Sequence, residues 1–168
     1  MFDKINVYRI VLDHFQTLKD YKTRRYRIGD FAIFFLVPLA VGAIVITFVG
    51  TLGPNSITIV TTSLSIFAAL LFNLLLLIYD LVRKEGSDQQ NSLRKQFLRE
   101  IHSNLSFSIL VALISVVLSL VLALTNDSGA MEKVLSFVVY YMLSLFMLTL
   151  LMVLKRVHVL LASELTQS

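Results

Sequence analysis

Lys22, Arg24, Arg25 and Arg27 fall within six residues, interleaved with Tyr21 and Tyr26. Guanidinium forks bind phosphate oxygens in pairs, and tyrosine rings offer flat faces to bases. The cluster is therefore a candidate site for an anionic ligand such as an oligonucleotide or nucleotide. A second chemistry competes for the same residues. Beside a membrane, basic side chains reach lipid headgroups, contributing about 1 kcal/mol each, while tyrosines settle at the interface. The phosphate reading further requires several copies of the cluster in one oligomer.

The other candidate residues lie on a long apolar stretch, Ser56–Asp80. At about 100° per residue, Thr58, Thr62, Ser65, Ala69, Asn73 and Asp80 share an arc of roughly 80°. A polar line on an otherwise apolar helix faces protein or water rather than lipid. Asn73 and Asp80, at the lower end of that line, are the strongest pore-side candidates, with Thr58, Thr62 and Ser65 above them. The competing role is helix-packing glue, in which an asparagine bonds across helices for about 0.6–2 kcal/mol.

Catalytic and metal chemistry find little footing. The three histidines are scattered and cysteine is absent. No Gly-rich phosphate loop occurs, and no nucleophile stands beside a base. The reading is a protein that is not an enzyme and carries no metal or cofactor. No span holds a central carboxylate of the kind a proton-coupled carrier uses. Small multidrug transporters also have four helices, but with a glutamate in the first span that Phe31–Leu52 lacks.

These residues are positioned by membrane helices. The chain has 168 residues, 57% of them hydrophobic, and its mean hydropathy is +0.79, beyond the range of soluble domains. Four stretches reach the ~20-residue spanning length, at about 31–52, 56–79, 105–124 and 134–154. What remains is too short for a separate soluble core. The fold expected is an all-α integral membrane protein, with four transmembrane helices in an antiparallel bundle. Residues 1–30 form a cytoplasmic amphipathic helix and basic collar, and residues 31–168 the four-helix domain. No apolar core sits near Met1, so no cleavable signal peptide is expected.

Apart from Lys133, every Lys and Arg lies before the first span, in the 81–104 loop or after the fourth span. The positive-inside rule then puts both termini and that loop in the cytoplasm of a multi-pass inner (plasma) membrane protein.

Phe2–Leu18 has 3–4 spacing, with Ile5, Tyr8, Val11, Leu12, Phe15 and Leu18 on its apolar side and His14 near the solvated side. Pro38, Gly42 and Ala43 mark a kink and a close approach in the first span. Gly53-Pro54-Asn55 predicts a tight turn, with Ser56 as N-cap, making the first two spans a hairpin. The third span begins below the membrane near Ser92. It carries its own line of small and polar residues, Asn104, Ser108, Ala112, Ser115, Ser119 and Ala123. The two lines either pack on each other, or one packs within the protomer while the other lines a shared axis. Ser136, Tyr140 and Ser144 share a side of the fourth span.

The stretches DHFQTLKDYKTRRYRIGDFAIFFLVP and SLSIFAALLFNLLLLIYDLV sit within a four-span layout almost without outer loops. That layout resembles the small inner-membrane effectors of bacterial antiphage defence, and most of all the channel subunits of Hailong-type systems. The resemblance implies a homo-oligomeric ion channel that dissipates the membrane potential, gated by an oligonucleotide at its cytoplasmic face. A separate cytoplasmic enzyme would make the signal. The rival readings are a non-conducting anchor or scaffold that recruits a cytoplasmic partner enzyme, and a small-solute carrier.

Overall fold

The computed structural model describes residues 7–17, 28–84, 92–125 and 129–165. They form five helices: α1 (Val7–Thr17), α2 (Ile28–Phe48), α3 (Pro54–Lys84), α4 (Ser92–Leu124) and α5 (Ala130–Leu165). No strand occurs among the described residues. Three stretches are long and apolar enough to cross a membrane: Pro54–Arg83, Phe97–Leu124 and Ala130–Val159. Within α2 the apolar run is shorter, Ala32–Phe48. At 1.5 Å per residue, α3, α4 and α5 each reach about 45–55 Å, well beyond a ~30 Å hydrocarbon core.

Local chemistry sets the helix ends. α3 opens at Pro54, where a missing N–H costs nothing. The Gly53 carbonyl accepts its first helical bond, from Ile57 N–H at 3.0 Å. Gly53, rather than Ser56, is therefore the capping residue. α2 stops four residues short of the expected Leu52. Gly50 has φ +89°, a left-handed conformation that turns the chain out of the helix. Leu52 then folds back into a small buried cluster with Ile57, Leu122 and Val139. α4 starts at Ser92, where the sequence places it.

The helices pack in the order α2–α5–α4–α3, with α1 laid against α4. Consecutive helices α2 and α3 make no backbone-level contact among the described residues. The expected hairpin between them is not a packed pair. Its short connection is anchored to α5 instead: Leu52 N–H donates to Ser136 Oγ at 3.1 Å, and Tyr140 OH donates to the Gly50 carbonyl at 3.3 Å. α2 approaches α5 closely at Gly42, where an added Cβ would meet the Phe137 ring at 3.2 Å and the Tyr141 backbone at 3.4 Å.

A buried apolar core runs between the helices. Leu64, Leu98, Ile101, Leu105, Ala112 and Phe146 are all essentially excluded from solvent. α4 is the most enclosed span, because α3 and α5 cover it on two sides. α3 lies at the edge of the row and buries only one line of residues, Ile57, Leu64, Ala68, Leu71 and Ile78.

Candidate functional site

On α3 the buried line and the polar line point in different directions. By the helical count, the line through Ile57, Leu64 and Leu71 lies roughly 140° from the line through Thr58, Ser65 and Asn73. Thr58, Thr62, Ser65, Asn73 and Asp80 are all exposed on the protomer. Two of the hydroxyls bond within their own helix, Thr58 Oγ1 to the Pro54 carbonyl at 3.0 Å and Ser65 Oγ to the Thr61 carbonyl at 2.8 Å. A carboxamide has more to satisfy, with two donors and an acceptor. Asn73 presents it on the outer face, between the exposed Phe72 and Leu76.

The matching line on α4 behaves differently. Asn104, Ser108, Ala112, Ser115 and Ser119 are fully buried in the protomer, and only Ala123, at the end of the helix, is exposed. Ser108 and Ser115 return their hydroxyls to carbonyls four residues back, at 2.9 and 2.7 Å. The benefit of the small residues is thus close helix approach rather than hydroxyl bonds across helices. Of the two arrangements the sequence allows, direct packing of one line on the other is ruled out. The α4 line is spent inside the protomer, and the α3 line is left on the outside.

Comparison with protein-family models, with curated proteins and with solved structures found no match to this chain.

Lys22, Arg24, Arg25 and Arg27 lie outside the described residues. Beneath α1 the structure shows polar chemistry that sequence reasoning missed. His14 is fully buried, not solvated. Its ring stacks on Phe107, with centroids 3.9 Å apart and planes 3° from parallel, and Phe34 lies 5.1 Å away. Its Nδ1 bonds Asn104 Oδ1 at 2.8 Å. Burial holds the imidazole pKa down at about 4, against the raising effect of the Asn104 bond, with the nearby Arg156 cation adding to the depression. Arg156 in turn pairs with Glu100, joining the ends of α5 and α4.

The packed face of α1 is Ile10, Val11, His14 and Phe15, while Tyr8 and Leu12 stay exposed. The helix is thus rotated away from the apolar side assigned from its own sequence. The signal was present, because His14 follows Ile10 by four residues and Val11 by three.

At the opposite end, an open cleft of about 270 Å³ lies between the start of α3 and the end of α4, with Thr58 and Glu132 on its wall. Among the described residues no group of three His, Asp or Glu side chains stands close enough to hold a metal.

Proposed function

We propose that the chain is a subunit of a homo-oligomeric, channel-like membrane protein whose protomers meet through the outer face of α3. The observation that carries this reading is the exposed Asn73–Asp80 line on a helix that buries its opposite side. A carboxamide against lipid tails leaves polar groups unpaired at a cost of several kcal/mol, which a second copy or a water-filled axis removes.

In this arrangement α2 also crosses the membrane, bringing the spans to four, and the end bearing His14, Glu100 and Arg156 is cytoplasmic with both termini, following the positive-inside rule. Tyr8 and Leu12 on α1 then face the headgroup region. The Lys22–Arg27 stretch supplies the anionic-ligand contact, and the role in bacterial antiphage defence is the one the architectural resemblance implies.

Reconstitution into liposomes tests the proposal. Ion flux is expected, modulated by single-stranded oligonucleotides, and Asn73→Leu should change the conductance. Lack of flux both with and without oligonucleotide would sink the channel reading. A stoichiometric cytoplasmic partner, retained after charge reversal at Arg24 and Arg25, would then favour the scaffold.

A further inference from the structure

We infer that the end of α3 carries a self-complementary charge lock between copies of this chain: Asp80 of one protomer pairs with Arg83 of the partner subunit. The inference rests on the proposed meeting of protomers through the outer face of α3, and it names the contact that holds that face to a second copy.

Asp80 and Arg83 lie about 4.5 Å apart along the helix axis and about 60° apart around it, within the arc of Thr62, Ser65 and Asn73. Asn73, Leu76, Asp80 and Arg83 follow one another at intervals of three, four and three residues, the seam spacing of two helices packed along their lengths. All four are exposed on the protomer. The turn bearing the charges is backed from behind: Ile78 is buried, and Leu81 and Val82 pack against the core. The two charges are thereby held outward in a fixed register.

Neither charge is used within the protomer. Among the described residues no ion pair or side-chain hydrogen bond engages Asp80 or Arg83. α3 makes backbone-level contact with α4 alone. The one acid on α4 is Glu100, and Arg156 engages it. The remaining helical acids, Asp13, Asp30, Glu132 and Glu164, belong to α1, α2 and α5.

A face that carries an acid and a base at fixed spacing matches a rotated copy of itself. Copies inserted in the same orientation set α3 parallel to α3, so Asp80 meets the guanidinium one turn further along its neighbour. In open water such a pair contributes little. Enclosed between helices it selects its partner, because like charges brought together there are strongly disfavoured. Closing this end also brings the Asn73 carboxamides of the two copies together, two turns away on the same seam.

Energy transfer between donor- and acceptor-labelled full-length chains tests the lock, in phosphatidylcholine vesicles over a series of protein densities. Asp80→Arg leaves the face wholly basic and Arg83→Asp leaves it wholly acidic. Each variant alone should self-associate about tenfold more weakly than the native chain. Mixed with each other, the two variants should associate at close to native strength, as should the double exchange. Absence of transfer between native copies at every density removes the oligomer, and this contact with it. Native association that neither single variant weakens overturns the lock but leaves the oligomer standing. So does a mixture that associates no better than each variant alone. A lipid headgroup, or Glu85 or Asp88 of the same chain, as the true partner gives one of these last two results, since none of them lets one chain rescue another.

Discussion

Asn104 and Glu100 are one turn apart on α4, and each fixes a different partner helix. Asn104 holds α1 through His14, and Glu100 holds α5 through Arg156. Removing one member of a buried or partly buried polar pair strands the other, at about 1–3 kcal/mol. Asn104→Leu should therefore loosen α1 while leaving the α4–α5 contact intact, visible as faster proteolysis near the N-terminus without loss of helical signal. Arg156→Met should instead lower global stability by about 1–3 kcal/mol, measured by denaturant titration in mixed micelles. Combining it with Glu100→Gln should recover part of the loss, because no unpaired charge then remains. The spacing of α1 aligns His14 with Ile10 and Val11 but does not by itself choose that arc as the buried one. On a short amphipathic segment the polar and apolar arcs differ by one residue step, and the aromatic floor that selects the buried arc comes from Phe34 and Phe107, far away in sequence.

Among the elements, helix ends and spacing were largely written in local chemistry. The Pro54 start and the Ser92 extension follow from residues at those positions. The pairing of helices was not. A short link such as Gly53-Pro54-Asn55 suggests adjacency, yet Ser136 and Tyr140 draw that link across the start of α5 and part α2 from α3. The lines of small residues on α3 and α4 look equivalent in sequence. Their fates differ because α4 has neighbours on both sides, whereas α3 has one. Gly42 belongs to this scale. Gly42→Leu would drive a side chain into Phe137 and the Tyr141 backbone, and should separate α2 from α5. Faster proteolysis of α2 reports that separation. Gly42→Ala, needing only a few tenths of an ångström from a ring, should cost about 1 kcal/mol.

Among the described residues the outer surface is asymmetric: largely apolar over α2, and carrying the polar line on α3. An oligomer built on that line makes a specific crosslinking pattern. Asn73→Cys should form intermolecular dimers rapidly under mild oxidation in membranes, because like residues meet near a symmetry axis. Leu113→Cys, exposed on α4 at 53% but away from the line, should crosslink slowly. Equal rates at the two positions would remove α3 as the contact.

The separation of α2 from α3 also bears on how the chain is made. α2 leaves the ribosome early, but its packing partner α5 begins only at Ala130. At translation rates of 5–20 residues per second, α2 waits roughly 4–16 s without its packing partner. α3 and α4 pair during that interval, and α5 then joins both sides. Biogenesis is thus exposed to a defined window in which an unattached α2 is available to chaperones, to quality-control proteases or to the α5 of another copy. Nascent chains stalled before Ala130 should leave α2 cleavable by a membrane protease while the α3–α4 pair is already protected.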